Sequence, residues 1–376
     1  MQIKKIHIVS FTIPYPPNYG GIIDVFYKIK ALWENQAEII LHCFEYDREK
    51  AEVLLKYCKQ VYYYPRKKSF TNFLSVTPFI VKSRSSNELF KNLMNDDYPI
   101  IFEGVHTTYC LPQIKNNRKI IIRTHNIEHN YYRLLAKKEM NFFKKIYYLT
   151  EALKLKFYET TVLAKGSLAT ISPSDQSYFI HINPNSFLVP AFHSNKKVTA
   201  QTGFGKYILF HGNLSVNENI QAVHYIIKNL CPKVDYKFVF AGKDPAKSLI
   251  KRVSKYKNAQ IIANPSNSEM DQLVNDAHIN LLITFQDTGI KLKLINALFK
   301  GRFCLVNNLM VNNTGLEQLT EIADHAANFI KQINYLMQQP YGENELNKRE
   351  QILLKIVNNN LNAQKIITLL QSNDQP

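Results

Sequence analysis

Glycine turns and two closely spaced lysines are the features of this chain whose residue types and spacing suit chemistry on an anion. Gly20 and Gly21 follow a β-branched run at residues 6–9 and open an amphipathic stretch. Such a glycine pair lets backbone amides approach a ligand closely, and a helix N-terminus favours a phosphate or a sugar diphosphate. A plain strand-to-helix turn is the alternative that this segment alone leaves open.

The second half of the chain repeats this arrangement of strand, glycine and helix. Gly212 and Asn213 follow a strand-like run and precede a helix predicted from Ile220, and Gly242 ends the next strand-like run. Short polar residues at the start of a helix satisfy its free amides, and the turn can accept an anion. We therefore predict a second anion-binding turn here.

Two lysines stand where a helix is predicted to begin. Thr288 and Gly289 open the helix, and Lys291 and Lys293 follow in or near its first turn. Cations at a helix N-terminus oppose the helix dipole, whereas a bound diphosphate would reverse the sign of that interaction. At least one of these lysines is therefore predicted to bind phosphate.

Polar residues with catalytic potential follow the strand-like run at residues 119–123. His125 comes first, with Glu128 close behind it, and His106 and His129 are further candidates. Parallel sheets bind ligands just beyond the carboxyl ends of their strands, so His125 is predicted to line an active site. The alternative is a surface or capping histidine. The spacing of the remaining histidines and the lack of an Asp-x-Asp pair predict no metal site.

Strand-like runs alternate with helical stretches along the whole chain, which is typical of a doubly wound α/β sheet. The 376 residues are enough for two such domains. A polar stretch at residues 193–205 is the predicted linker. We expect an N-terminal domain over 1–190, a second domain over 200–345 and a C-terminal helix over 346–376 that packs back toward the first domain.

Composition places the chain among folded proteins of a reducing compartment. Apolar residues make up 45% of it, and no apolar run is long enough to span a membrane. No signal peptide is expected, because the predicted first strand begins close to residue 1. The five cysteines are dispersed and form neither a disulfide framework nor a metal spacing. A cytoplasmic location is predicted.

A formal net charge of +17 indicates a phosphate-bearing partner. Lysines and aromatic residues are mixed at residues 62–68 and 137–148, the latter inside a stretch predicted to be one long helix over 131–165. These segments can be read as solvated helix faces, or as a peripheral contact with anionic membrane at its cytoplasmic face. Nucleic acid is not the expected partner, because no nucleic-acid-binding module is present.

Four segments resemble those of a known enzyme class. They are PYPPNYGG near the N-terminus, RTHNIEH from Arg123, HGNLSVNENI from His211 and TGIKLKLINALFKG from Thr288. In order and spacing the chain resembles the retaining glycosyltransferases called family 4. The resemblance implies a GT-B fold, in which two Rossmann-like doubly wound domains face each other across a cleft.

The same resemblance implies roles for single residues. His125 would lie near the reacting sugar, and Glu128 would be a second catalytic candidate. The donor would be a nucleotide-sugar, with no further cofactor and no metal. The residues implied in donor binding are Gly20, Gly21, Gly212, Asn213, Gly242, Ile262, Thr288, Gly289, Lys291, Lys293 and Asn296. Gly315 and Leu316 would border the donor pocket.

Several positions depart from the pattern of this family. Asn296 replaces the usual glutamate that binds the donor ribose, and Thr288 stands where another acidic residue is common. An amide still accepts and donates hydrogen bonds but loses the contribution of charge. The turn at 212–219 also lacks the arginine and lysine of many relatives.

The sequence therefore predicts a glycosyltransferase that moves a sugar from a nucleotide-activated donor to a glycan or a lipid-linked acceptor. Surface polysaccharide or glycolipid synthesis is the implied setting, with retention of configuration. Two alternatives stay open at this point: a nucleotide-sugar-binding protein of the same fold with weak or no activity, and a nucleotide-sugar epimerase.

Overall fold

The computed structural model describes residues 5–115, 117–285 and 291–371, without the side chains of Phe70 and Thr71. The described chain forms two compact units. Unit 1 consists of residues 5–194 and 357–371, and unit 2 of residues 195–285 and 291–356. The terminal segment that belongs to unit 1 begins at residue 357.

Unit 1 contains a seven-stranded parallel sheet in the order β3-β2-β1-β4-β5-β6-β7. Its strands are β1 (Lys5–Ser10), β2 (Glu38–Glu45), β3 (Gln60–Pro65), β4 (Ile100–Glu103), β5 (Ile120–Thr124), β6 (Ser167–Thr170) and β7 (Ser186–Leu188). The sheet continues outward on both sides of β1, which pairs with β2 and with β4.

Helices cover this sheet, and the last of them returns from the end of the chain. They are α1 (Gly20–Glu34), α2 (Phe79–Lys82), α3 (Asn87–Met94), α4 (Glu128–Lys138), α5 (Phe142–Val162), α6 (Pro173–Phe179) and α14 (Asn359–Gln371). Ala363, Ile366 and Leu370 of α14 belong to the same apolar core as α1.

Unit 2 contains a six-stranded parallel sheet in the order β10-β9-β8-β11-β12-β13. Its strands are β8 (Ile208–His211), β9 (Phe238–Gly242), β10 (Ala259–Ala263), β11 (Ile279–Leu282), β12 (Phe303–Val306) and β13 (Glu321–Ile322). Its helices are α7 (Asn217–Asn229), α8 (Lys247–Val253), α9 (Asn267–Asp276), α10 (Leu292–Lys300), α11 (Asn308–Val311), α12 (Ala326–Leu336) and α13 (Glu343–Ile356).

The central strands are apolar on both faces, as expected for parallel strands covered by helices on each side. Every residue of β4, β5, β8, β9 and β11 is buried. The predicted class, two doubly wound α/β domains, is therefore confirmed. The two-residue strand β13 was not predicted, because so short a run has no detectable period.

Two stretches that the sequence predicts as single helices are each divided in two. The break after α4 ends at Asn141, whose side chain accepts a hydrogen bond from Lys144 N at 3.1 Å and so caps α5. The break before α14 contains Asn358, whose side-chain oxygen accepts from Asn360 N at 2.9 Å. In both places an asparagine competes for backbone donors and starts a new helix.

None of the helices within the described residues combines the length and apolar character needed to cross a membrane.

Candidate functional site

The carboxyl edge of the unit 1 sheet collects the residues that follow its central strands. Phe11 follows β1, Gly104 follows β4 and His125 follows β5. Gly104 has a φ of +73°, and an added Cβ would lie 2.8 Å from His106 Nδ1 and 3.6 Å from His125 Cδ2. Only glycine therefore lets the two imidazoles approach the chain here.

Phe11 links this edge to the N-terminus of α1. Its ring meets the His125 ring edge-on at 5.6 Å and the His106 ring at the same distance. A Cβ added to Gly21 would lie 3.1 Å from the Phe11 ring. Helix α1 begins at Gly20 with no side-chain cap and no acidic residue in its first turn. The predicted residues Gly20, Gly21 and His125 thus lie at one edge of the sheet, beside an uncapped helix N-terminus.

A network of buried charged side chains connects His125 to helix α1. Arg123 donates to the Asp24 carboxylate at 2.8 and 3.0 Å, and Lys28 Nζ lies 3.1 Å from Asp24. Lys28 Nζ also lies 2.9 Å from the Glu103 carboxylate, and His125 Nε2 lies 3.2 Å from Glu103 Oε2. Because His125 Nε2 faces a carboxylate, the neutral ring presents Nδ1 as a hydrogen-bond acceptor.

The neighbouring cations keep the carboxylates of Asp24 and Glu103 ionised. Burial alone would raise the pKa of Asp24, but Arg123 and Lys28 outweigh it and hold that pKa well below its usual range. Burial likewise opposes ionisation of Glu103, yet Lys28 and His125 lower its pKa. Such paired buried charges position their neighbours at a cost in desolvation.

The ligand atoms of Asp24, Glu103 and His125 lie within 4.8 Å of one another, a spacing that would suit a metal ion. The Lys28 ammonium, however, lies within 3.1 Å of both carboxylates. An ammonium between the two carboxylates already supplies the positive charge that a metal would bring, so this donor set does not fit a metal ion.

Four buried polar atoms near this edge have no hydrogen-bond partner among the described residues: His125 Nδ1, His106 Nδ1, Thr124 Oγ1 and Glu103 Oε1. Of these, Glu103 Oε1 lies 2.9 Å from the Lys28 ammonium. Buried polar atoms are normally satisfied, so each such atom needs an explanation. A hydroxyl-rich ligand would supply donors and acceptors at this place. His125 and His106 thus each have one ring nitrogen without a partner at this edge, and the role of His125 at the reacting sugar stays a prediction.

Glu128 lies in a neighbouring buried pair of carboxylates. Its backbone N–H donates to Glu159 Oε1 at 2.8 Å, and His129 Nδ1 lies 2.5 Å from Glu159 Oε2. Burial, followed by the charge of Glu159, raises the pKa of Glu128 to about 8. The raised pKa favours the protonated form of Glu128, and His129 is engaged as the partner of Glu159.

In unit 2 the turn after β8 packs directly on the end of β9. A Cβ added to Gly242 would lie 1.6 Å from Gly212 O, so only glycine fits at that position. Gly212 N donates to Ala241 O at 3.0 Å, and Asn213 Oδ1 accepts from Ser215 N at 2.9 Å. These groups are engaged within the protein. The first turn of α7 has no side-chain cap and contains the acidic residue Glu218.

Lys293 reaches this turn from α10. Its Nζ donates to Asn219 Oδ1 at 2.6 Å and lies 5.5 Å from the centre of the Phe210 ring. No carboxylate of the described residues lies within ion-pair distance of it, although Glu218 is near enough to favour its charge. Glu218 itself bonds to Thr284 Oγ1. Burial is the main reason that the pKa of Lys293 falls to about 8.

The remaining predicted donor residues are distributed around the same sheet. Lys291 occupies the N-cap position of α10 without a side-chain cap hydrogen bond, and Asn296 is half-buried in that helix. Ile262 lies near the carboxyl end of the outer strand β10, and Gly315 has a φ of +76°. Thr288 and Gly289 lie outside the described residues.

Sequence reasoning missed the residues that support the site. Asp24 and Lys28 are spaced i,i+4 on the otherwise apolar face of α1, and this was a readable signal of a buried ion pair. Glu103 ends an apolar strand, which was a second signal. Asn219 gave none, because its contact with Lys293 joins residues far apart in the chain.

Comparison with known proteins identifies the fold. No protein-family model matches the chain. An uncharacterised 44.6 kDa protein of the cps region of Klebsiella pneumoniae is 28% identical over 368 residues, covering 89% of this chain and 91% of that protein. A glycosyltransferase from Rickettsia africae ESF-5 superposes with a TM-score of 0.63 at 12% identity, covering 99% of this chain and 100% of that one.

Anabaena HepE, solved in complex with UDP and glucose, superposes with a TM-score of 0.60 at 11% identity, covering 98% of this chain and 100% of that one. The predicted membership of glycosyltransferase family 4 stays a prediction. The chain has the two-domain GT-B fold found among glycosyltransferases.

Proposed function

We propose that this protein is a glycosyltransferase that takes a sugar from a nucleotide-activated donor. The observation that carries the proposal is Lys293, a half-buried ammonium whose hydrogen-bond acceptor is the neutral Asn219 side chain. It lies at the carboxyl edge of a parallel sheet beside the uncapped N-terminus of α7. A diphosphate at this place would supply the missing negative charge.

The proposed chemistry divides between the two units. In unit 2, Lys293 and the amides of α7 stabilise the nucleoside diphosphate as negative charge develops on it during departure. In unit 1, His125 is oriented by Glu103 and offers Nδ1 to an acceptor hydroxyl. Retention of configuration and independence from metal belong to the same proposal, and the family resemblance supports both.

The acceptor in this proposal is a glycan or a lipid-linked sugar. Support comes from the relative in the cps region of K. pneumoniae, which fits a role in polysaccharide synthesis. The proposal places transfer on the cytoplasmic side, where nucleotide-sugars are made.

The proposal also includes peripheral contact of the protein with an anionic membrane. The exposed face of α5 supports this contact. Phe142, Phe143 and Phe157 are exposed by 68%, 81% and 67%, and with Ile146 and Leu153 they form an apolar stripe on the face away from the core. Lysines flank the stripe: Lys144, Lys145, Lys154 and Lys156. An apolar stripe bordered by lysine is the pattern of a helix that lies in the lipid headgroup region.

The experiment that tests the enzymatic part is a screen of nucleotides and nucleotide-sugars by thermal shift, followed by a donor-consumption assay. We expect one nucleoside diphosphate to stabilise the protein and its sugar conjugate to be consumed. His125→Ala should abolish consumption and keep diphosphate binding. Binding without consumption would indicate the inactive alternative, and a changed sugar without acceptor would indicate an epimerase. The absence of any nucleotide binding would refute the proposal.

Co-sedimentation with anionic vesicles at low and high salt tests the membrane part. We expect binding at low salt that weakens at high salt, because surface charges are screened beyond about 10 Å at 0.1 M. Changing Phe142 and Phe143 to Ser should abolish it, and so should reversing the charges of Lys137, Lys138, Lys144 and Lys145. Unchanged sedimentation of both variants would leave a soluble enzyme with a basic surface.

A further inference from the structure

Two arginines of unit 1 are held at the carboxyl edge of its sheet without an acidic partner. Arg66 follows β3 directly, and Arg84 follows the short helix α2. No ion pair among the described residues includes Arg66 or Arg84. Arg84 is buried and Arg66 is partly exposed. An uncompensated buried cation is costly, and proteins normally pair it.

Arg84 is only 4% exposed, and neutral main-chain oxygens are its acceptors. Its Nε donates to Phe11 O at 2.9 Å and its Nη1 to Ile80 O at 2.7 Å. The first of these bonds fixes the segment whose ring contacts His125 and His106. Burial, followed by the charge of Arg66, lowers the pKa of Arg84 to about 9.

Arg66 lies beside Arg84 and is held in place by an aromatic surface. Its Nε donates at 3.2 Å to the hydroxyl of Ser83, the residue before Arg84, and its guanidinium stacks 4.2 Å from the centre of the Tyr46 ring. Stacking on a ring leaves the edge of the guanidinium, with its paired N–H donors, available to a planar anion.

The carboxylate of Glu128 does not neutralise these cations. It is near enough for Arg84 to favour its ionised form, yet the pKa of Glu128 is raised to about 8 by burial and by Glu159. The raised pKa favours the neutral carboxyl, which compensates little of the charge of Arg84.

The sheet order places these groups in line with the catalytic candidate. Arg66 and Tyr46 follow β3 and β2, Phe11 follows β1, and His125 follows β5, while the strands run in the order β3-β2-β1-β4-β5. Neighbouring strands lie about 4.8 Å apart, so the ends of β3 and β5 lie on the order of 20 Å apart along the edge. Arg84 lies between them, because it donates to Phe11 O and the Phe11 ring contacts His125. That span fits a short saccharide with an anionic group beyond its reacting sugar.

We propose that Arg66 and Arg84 bind an anionic group of the acceptor, a phosphate or a carboxylate, while the reacting hydroxyl of the acceptor lies at His125. This inference rests on the proposed function, because it takes unit 1 as the acceptor-binding unit. It narrows the acceptor to glycans that contain an acidic sugar or a sugar phosphate. Recognition by the paired donors of arginine would favour planar or tetrahedral oxyanions over neutral sugars.

Ligand-observed NMR titrations of the full chain test the proposal with three probes: methyl glucuronide, glucose 1-phosphate and the neutral methyl glucoside. At least one anionic probe should bind about tenfold or more tightly than the neutral one, the effect of one charge-assisted hydrogen bond. Arg66→Gln should reduce that preference to near unity, and Arg66→Lys should retain part of it. Lys165→Gln, an exposed cation at the opposite edge of the same sheet, should change nothing.

The outcomes separate this inference from the proposed function. Preference for the glucuronide assigns an acidic sugar, and preference for the phosphate assigns a sugar phosphate. Equal binding of all three probes, or an unchanged preference in Arg66→Gln, overturns the inference. Displacement of glucose 1-phosphate by UDP would assign the arginines to the donor and overturn their acceptor role. An Arg66-dependent preference in a protein that consumes no nucleotide-sugar would preserve the anion site and refute the glycosyltransferase.

Discussion

Lys293 should take up a proton when a nucleoside diphosphate binds. Its pKa in the free protein is about 8, mainly because burial disfavours the ammonium. A diphosphate beside it would raise that pKa above its ordinary value, so the bound lysine stays fully protonated over the neutral and mildly alkaline range. Binding of the diphosphate is therefore accompanied by uptake of protons from solution.

The size of the uptake follows from the fraction of Lys293 already protonated. With a free pKa of about 8, uptake should be about 0.1 proton at pH 7, about 0.5 at pH 8 and about 0.9 at pH 9. The diphosphate itself adds little above pH 7.5, because a terminal phosphate has its second pKa near 6. Calorimetric titration of UDP in buffers of different ionisation enthalpy measures this number directly.

Replacement of Lys293 by an uncharged residue tests the same assignment. Lys293→Met should abolish the pH-dependent uptake and weaken diphosphate binding by about 1.5–3 kcal/mol at pH 7, the range for a charged hydrogen bond. Binding of the free nucleoside should hardly change. Lys300→Met is the control, because Lys300 lies at the other end of α10 and pairs with Asp271 at 2.5 Å. Equal proton uptake by wild type and Lys293→Met would refute the assignment, and equal loss for nucleoside and diphosphate would indicate damage to the fold.

Asn296→Glu should tighten donor binding or leave it unchanged, because it restores a charge-assisted acceptor, and calorimetry of the nucleotide-sugar measures this; a clear loss of affinity would contradict a ribose-binding role. Gly242→Ala should destabilise the protein by about 3 kcal/mol or more in denaturant unfolding, because the new Cβ would overlap Gly212 O, and an unchanged midpoint would contradict that packing. Burial holds the pKa of His42 well below its usual value, so the folded state resists its protonation and stability should fall below about pH 6.5 by up to about 1.4 kcal/mol per pH unit. His42→Gln should make that slope shallower, and an identical slope would count against the buried neutral histidine. Glu128 affects the pH dependence of stability in the opposite direction, because its raised pKa makes stability fall as pH rises from about 4.5 to about 8. Glu128→Gln should remove this decline. A decline that persists in the variant would show that another group causes it.

The alternation of apolar runs and helical stretches was sufficient to predict both sheets. Twelve of the strands coincide within two residues with runs that are visible in the sequence, because fully buried parallel strands need continuous apolar residues. The glycine turns were also readable, since a backbone that passes close to its neighbour excludes a Cβ, as at Gly242. Local patterns of this kind depend on residues that are adjacent in the chain.

The ends of the helices were harder to predict from the sequence than the strands. The divisions at Asn141 and Asn358 arise from single side-chain caps, each of about 1 kcal/mol, which a continuous helical pattern on both sides conceals. The catalytic candidate His125 was predicted from its place after a strand, but the groups that orient it were not.

The pairing of charged and polar side chains depends on the tertiary structure and cannot be predicted from local sequence. Arg123 bonds to Asp24 across 99 residues, and Lys293 bonds to Asn219 across 74. Strand order brings Arg66 and His125 to the same edge, and that order follows from helical crossovers rather than from any local pattern. The strands, the helices and the residue types at their ends follow from local sequence, because burial and backbone geometry act locally. The pairing of those ends depended on long-range packing, because groups such as Arg123 and Asp24 are far apart in the sequence and meet only in the folded chain.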